Sequence, residues 1–311
     1  MKRLVAAVTA LLLLLGTCAF AEAPGRKMEF PDNTYVKMES DYSTGVTNRG
    51  EIVLFMYDAK TPDGEAYKKG SLVYLPHGYD PADADTRYNV LYLMHGSGQN
   101  YTEYFGFAGS FSSTSMMLDA MIEKGRIEPL IVVSPSFNVP GHDEGFGCNN
   151  FWYELKNYLI PAFESQYKTY ALDVTPEGIH ASRGHRAMAG FSMGAMCTWN
   201  VFAHCMDEIA YYMPFSGGSW TLNAQQLASS VSAAGYTKDD FFIYAGCGGV
   251  GDVAYSGMNA LIEDMSALTD TFVFCENFRD GNLYYTQCSG GHSRNTVELI
   301  MYAGLPTFFD K

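Results

Sequence analysis

An α/β fold with a mainly parallel central sheet and helices on both faces is what this 311-residue chain predicts. Short apolar runs rich in β-branched and aromatic residues recur along it, and helix-patterned stretches separate most of them. No repeat, low-complexity tract or Pro/Ser-rich linker breaks the alternation. The first two runs, Glu51–Tyr57 and Ser71–Leu75, lie close enough to form an antiparallel edge. Val90–Met94 and Leu130–Ser134 read as the next strands, with a helix predicted over Ser115–Lys124 between them. A helix over Phe151–Tyr167 precedes the strand Ala187–Phe191, which runs straight into the helix Met193–Cys205. Strand Tyr211–Phe215, helix Leu222–Ala234, strand Phe241–Ala245 and helix Ala254–Leu268 follow. Near the end, Thr271–Phe278 and Leu283–Gln287 flank Arg279-Asp280-Gly281-Asn282, which reads as a hairpin turn. Either run can be the last parallel strand; the closing helix covers Ser293–Phe309.

The N-terminus has a different character. Lys2 and Arg3 precede the apolar run Leu4–Leu15, and Ala19-Phe20-Ala21 offers small residues for cleavage before Glu22. This is the pattern of a secretory signal over residues 1–21, too short for a membrane anchor, and it predicts an extracellular protein. Lipidation at Cys18 ranks second, because Thr17 fits poorly in Leu15-Gly16-Thr17-Cys18. Residues 22–49 are polar and read as a lead-in segment; residues 50–311 form one large domain. Without the signal the chain keeps all 34 acidic residues and 18 of its 20 basic ones, a formal charge of −16. That surface repels nucleic acid and anionic membranes, and no later stretch is apolar enough to span a bilayer. Six cysteines remain, none in C-x-x-C spacing, so neither a zinc nor a redox motif is predicted. Cys275 and Cys288 flank the expected hairpin and are the first guess for a bridge. Cys197, Cys205 and Cys247 fall where buried thiols are equally natural.

The chemistry centres on Gly190-Phe191-Ser192-Met193-Gly194, a G-x-S-x-G pentapeptide between a predicted strand and a predicted helix. Such a serine sits on a sharp, strained turn, and a side chain at either glycine collides with the neighbouring strand or helix. A serine hydroxyl becomes a useful nucleophile when a base takes its proton and a carboxylate holds that base in the right tautomer. Asp252 lies in the glycine-rich loop after the strand Phe241–Ala245, and His292 follows the final apolar run, giving the order Ser, acid, His. A helix cap is the plainer role for Asp252. Its rivals are Asp264, in mid-helix, Asp270, and Asp280, in a turn. His77, His95, His142, His180 and His185 all precede the serine, and His204 lies on the helix after it. Met193 N–H, at the helix N-terminus, and Ser97, in Leu93-Met94-His95-Gly96-Ser97-Gly98, are the expected oxyanion donors. His95 is read as a structural loop residue.

The Arg186–Gly194 segment, His95-Gly96, Tyr153-Glu154-Leu155 with Pro161, and Gly290-Gly291-His292 resemble the esterase D-like branch of the α/β-hydrolases. Within it the chain is most similar to the family-one carbohydrate esterases, secreted feruloyl and acetyl xylan esterases, over roughly residues 50–309. The resemblance implies an α/β-hydrolase fold, no cofactor or metal, and deacylation of plant cell-wall polysaccharide. It also implies Ser192 as nucleophile, His292 as base, Asp252 as acid, and Met193 and Ser97 as the oxyanion hole. The expected partner is a polysaccharide or oligosaccharide ester, feruloyl ahead of acetyl. Tyr101, Tyr104, Phe105, Phe137, Phe146, Trp152 and Trp220 are candidates to line its groove, with Trp220, Tyr104 and Trp152 put forward, although packing is the commoner role for each. A different acyl hydrolase or acyltransferase of the same fold, and a catalytically silent carbohydrate-binding relative, are the alternatives.

Overall fold

A computed structural model describes residues 37–43, 46–275 and 280–309. The expected signal segment 1–21 with Cys18, much of the lead-in, and residues 276–279 lie outside them. Eight strands form one sheet: β1 (Glu51–Lys60), β2 (Ala66–Leu75), β3 (Asn89–Met94), β4 (Leu130–Ser134), β5 (Arg186–Phe191), β6 (Tyr211–Phe215), β7 (Phe242–Gly248) and β8 (Leu283–Cys288). Their spatial order is β1-β2-β4-β3-β5-β6-β7-β8. β1 pairs antiparallel with β2 and β2 with β4; every later pairing is parallel. The principal helices are α1 (Ser113–Glu123), α2 (Glu144–Glu154), α3 (Ile160–Glu164), α4 (Pro176–Ala181), α5 (Met193–His204), α6 (Ala224–Ala233), α7 (Tyr255–Ser266) and α8 (Arg294–Gly304). No described helix is long and apolar enough to cross a membrane.

The pleat sends alternate residues of each strand to opposite faces. In β3, Val90, Tyr92 and Met94 pack under the layer of α2, α3, α5, α6 and α7. Leu91 and Leu93 pack under α1 and α8. Both faces are therefore covered, and the strands from β4 to β7 are buried along their whole length. At the edge, β1 alternates instead, with Phe55, Tyr57 and Ala59 inward and Leu54, Met56 and Asp58 outward.

Arg186 fixes the foot of β5. It is 1 % exposed, and its guanidinium donates to both carboxylate oxygens of Glu164, to Ser182 Oγ and to the carbonyls of Ile179 and Glu208. All five of its N–H donors are used, the bidentate fork matching the carboxylate as only arginine can.

Three expectations change. The helix expected over Phe151–Tyr167 begins earlier, at Glu144, because Asp143 caps it by accepting Phe146 N–H at 2.8 Å. It then passes through a π-helical turn at Leu155–Leu159 before α3. Pro161 has no N–H for the carbonyl four residues back and its ring crowds that position, so a wider turn there relieves the backbone. Second, the described residues on either side of 276–279 do not pair as the expected hairpin. Phe274 bridges Leu283 in parallel, and buried Asn282 spends its side chain on Val273 N–H and Thr271 O instead of forming an exposed turn. The last strand is Leu283–Cys288. Third, no Cys275–Cys288 bridge forms. Parallel pairing sets Cys275 beside Leu283, whose carbonyl accepts its thiol at 3.3 Å. Cys288 is five residues on, roughly 17 Å along the strand and beyond a disulfide's reach, and remains a free thiol.

Candidate active site

All the pieces of the site stand at the C-terminal ends of the parallel strands, where open α/β sheets present their ligands. β5 ends at Phe191, and Ser192 turns the chain into α5 with φ 56° and ψ −114°, a left-handed conformation that a side chain rarely adopts. Its N–H is held by Phe215 O at 2.9 Å, in the neighbouring strand. A Cβ on Gly190 would lie 2.1 Å from Gly194 O, and one on Gly194 would lie 2.5 Å from His95 O. The two glycines thus let strand, turn and helix close on one another around the serine.

His292 leaves the end of β8 and brings Nε2 to 2.8 Å from Ser192 Oγ, while Nδ1 lies 2.8 Å from Asp252 Oδ1. A neutral ring between these partners donates from Nδ1 to the carboxylate and accepts the serine proton at Nε2. Its face also packs on Phe191, with ring centroids 4.5 Å apart. Asp252 is 3 % exposed and has four donors: His292, Ser216 Oγ at 2.6 Å, Gly248 N–H at 3.0 Å and Ala254 N–H at 2.9 Å. The bond to Ala254 shows that the carboxylate does shape the turn before α7, in addition to reaching His292. Burial works to raise its pKa, but the donors, Ser216 foremost, outweigh burial and hold it below the ordinary carboxylate value.

Two backbone segments lie beside the serine. Met193 is the first residue of α5, so its N–H has no intrahelical acceptor and sits at the positive end of the helix. On the other side, the loop after β3 passes close by: a Cβ on Gly96 would stand 3.4 Å from Ser192 Cβ. Gly96 N–H is taken by Gln99 Oε1 at 2.7 Å and Gly98 N–H by Glu144 Oε1 at 2.8 Å, whereas Ser97 N–H has no acceptor among the described residues. Ser97 Oγ also donates to Glu144, which grips this loop from the first turn of α2. Below it, His95 is fully buried, bonded to Gly96 O and Ser136 Oγ, and packed on Phe137. Burial lowers its pKa to about 4, so it is neutral and structural.

The aromatic candidates divide. Trp220 stands 81 % exposed on the loop after β6, with Val250 and Val253 also open on the loop that carries Asp252. Tyr104 is corrected to a core residue: it is 1 % exposed and its hydroxyl donates to Met94 O. Trp152 is corrected as well. It stacks on His204 at 4.4 Å, at the opposite end of α5 from the serine, roughly 16 Å down the helix. Phe105 and Phe137 are buried, and Phe146 stacks on His142. Sequence reasoning missed Ser216, Glu144 and Gln99. Ser216 has a signal, a serine directly after strand Tyr211–Phe215 with φ +47°; the other two are ordinary polar residues until the loops are folded together.

The family described as "Putative esterase" matches residues 68–250. Endo-1,4-beta-xylanase Y of Acetivibrio thermocellus is 37 % identical over 298 residues, covering 93 % of this chain and 26 % of that protein. An endo-1,4-beta-xylanase/feruloyl esterase of Xylanibacter ruminicola is 30 % identical over 204 residues, covering 63 % of this chain and 24 % of that protein. This chain therefore spans about a quarter of the length of these two relatives. Among solved structures, a serine-to-alanine mutant of the feruloyl esterase module from Clostridium thermocellum, complexed with sinapinate, matches with a TM-score of 0.79 and 36 % identity. The match covers 91 % of this chain and 96 % of that one. With its strand order, elbow and family match together, the chain belongs to this esterase family and has the α/β-hydrolase fold.

Proposed function

We propose that this chain is an exported serine esterase that releases feruloyl groups from plant cell-wall polysaccharide such as xylan. The observation that carries the reading is the hydrogen-bonded series Ser192–His292–Asp252, 2.8 Å at each step; Met193 N–H and Ser97 N–H have no acceptor among the described residues. In this mechanism Ser192 Oγ attacks the ester carbonyl while His292 Nε2 takes its proton. Asp252 stabilises the imidazolium, and Met193 and Ser97 N–H receive the charge that develops on the carbonyl oxygen. The sugar hydroxyl leaves with the proton from His292, forming an acyl-enzyme. Water then attacks, activated by the same histidine, and frees the acid.

Feruloyl is favoured over acetyl on two grounds. The similar feruloyl esterase module and the bifunctional relative carry that activity in their names, and the exposed apolar side chains of Trp220, Val250 and Val253, on the loops after β6 and β7, suit an aromatic acyl group better than a methyl. Turnover of methyl ferulate and of an acetylated xylan by the protein and by Ser192→Ala tests the reading. The variant is expected to lose at least about 1,000-fold; equal turnover removes Ser192 from the mechanism, and no turnover by the parent protein supports the silent alternative. Export rests on the Lys2–Ala21 pattern, and a culture-medium form beginning at Glu22 is the expected product.

A further inference from the structure

We infer that Cys148 and Cys197 are the site of a structural disulfide that clamps α2 to α5 directly behind the nucleophile. The two Sγ atoms lie 3.1 Å apart, and the residues are 1 % and 0 % exposed. Cys197 stands little more than one turn along α5 from Ser192, and Cys148 Sγ also donates to Met193 O at 3.3 Å. A disulfide of about 2.05 Å needs the sulfurs to close by only ~1 Å. Of the other thiols, Cys205 meets Trp152 O and Cys275 meets Leu283 O. The pair is 49 residues apart in sequence, so the bond closes a loop that contains α3, α4, β5 and the serine.

The bond forms by exchange with a small-molecule disulfide such as oxidised glutathione. One cysteine thiolate attacks it and expels one thiol; the second thiolate attacks the mixed disulfide and expels the other. Two cysteine thiols and one disulfide thus become one protein disulfide and two small thiols, with electrons and protons balanced. Burial pushes the Cys197 thiol well up, so attack belongs to the stage before α2 packs on α5 and not to the closed protein. Such a bond persists in an oxidising compartment, which the proposed export supplies; the inference does not rest on the esterase reading.

The experiment refolds the full chain in buffer containing oxidised and reduced glutathione, blocks thiols with N-ethylmaleimide in denaturant, and maps the peptides by mass. The expected result is one cross-linked species joining the Cys148 and Cys197 peptides, abolished by reductant. The oxidised protein should melt roughly 5–10 °C above the reduced one, a difference that Cys148→Ser and Cys197→Ser each remove. Recovery of both cysteines as maleimide adducts, or a bridge from either to another cysteine, overturns the inference. A correct bridge with no change in Tm overturns the clamping role. Should the serine variants fail to fold, the peptide map of the parent protein still decides.

Discussion

Replacing Ser216 with alanine is expected to lower kcat by about 10- to 100-fold while leaving KM nearly unchanged. The Ser216 hydroxyl is fully buried and donates to Asp252 Oδ2 at 2.6 Å, one of four donors on that carboxylate. A hydrogen bond to a charged group contributes about 1.5–3 kcal/mol, and each 1.36 kcal/mol is tenfold in rate. The range follows if the loss falls on the step in which Asp252 faces the His292 imidazolium. Ser216 touches no substrate in the proposed mechanism, which is why KM should hold. The sign on pH is also set. Burial already works to raise the Asp252 pKa, and Ser216 is the largest of the opposing effects. Its removal lets the carboxylate protonate at higher pH than in the parent. The assay is kcat and KM on methyl ferulate from pH 4 to 8 for the parent, Ser216→Ala and Ser216→Gly. Serine and alanine carry the same Cβ at φ +47°, so the alanine variant removes the hydroxyl at unchanged backbone strain, while the glycine variant removes both. Equal losses in the two variants assign the effect to the hydroxyl. Parent-like kcat in both variants refutes the view that this hydroxyl holds the acid.

Glu144→Gln should reduce kcat by about 3- to 10-fold with folding intact, since the charge gripping Ser97 Oγ and Gly98 N–H is lost while one amide acceptor remains; steady-state kinetics that match the parent would count against a role for α2 in setting the oxyanion loop. His95 governs an acid sensitivity of folding. Its pKa falls from 6.5 to about 4 on burial, so between those values the unfolded chain binds a proton that the folded protein refuses. Stability is therefore lost as pH drops from 6.5 toward 4, by about 3 kcal/mol for this group. Urea unfolding at pH 7 and pH 4.5 should show a smaller acid loss for His95→Gln; parallel losses exclude His95 as the source.

The parts of the fold readable in advance were those whose signal is local. β4 and β6 begin and end where their apolar runs do, because a strand buried on both faces is marked by composition at every position. Ser192, Asp252 and His292 were readable because each lies beside glycines at the end of an element, in a known chain order. What escaped notice depends on residues far apart in sequence. Glu144 and Ser97 meet only after α2 has packed beside the β3 loop. Gly145 and Gly147 disguised the start of α2, whose real marker was the cap Asp143. Residue type likewise gave no facing for Tyr104 and Trp152: a tyrosine whose hydroxyl finds a backbone carbonyl is as stable in the core as at a rim. The bridge guess failed with the hairpin on which it depended.

The five-fold anchoring of Arg186 has a consequence at the other end of its strand. Six residues separate it from Ser192, roughly 20 Å of extended chain, and β5 lies in mid-sheet with a parallel neighbour on each side. Sliding by one position would turn every side chain of β5 to the opposite face and tear five donors from their acceptors at once. The serine's height above the sheet is thus measured from the floor, as a surveyor's staff is read from its foot. Weakening that foot shows itself at the far end, as a population of misplaced nucleophiles within a chain that is still folded.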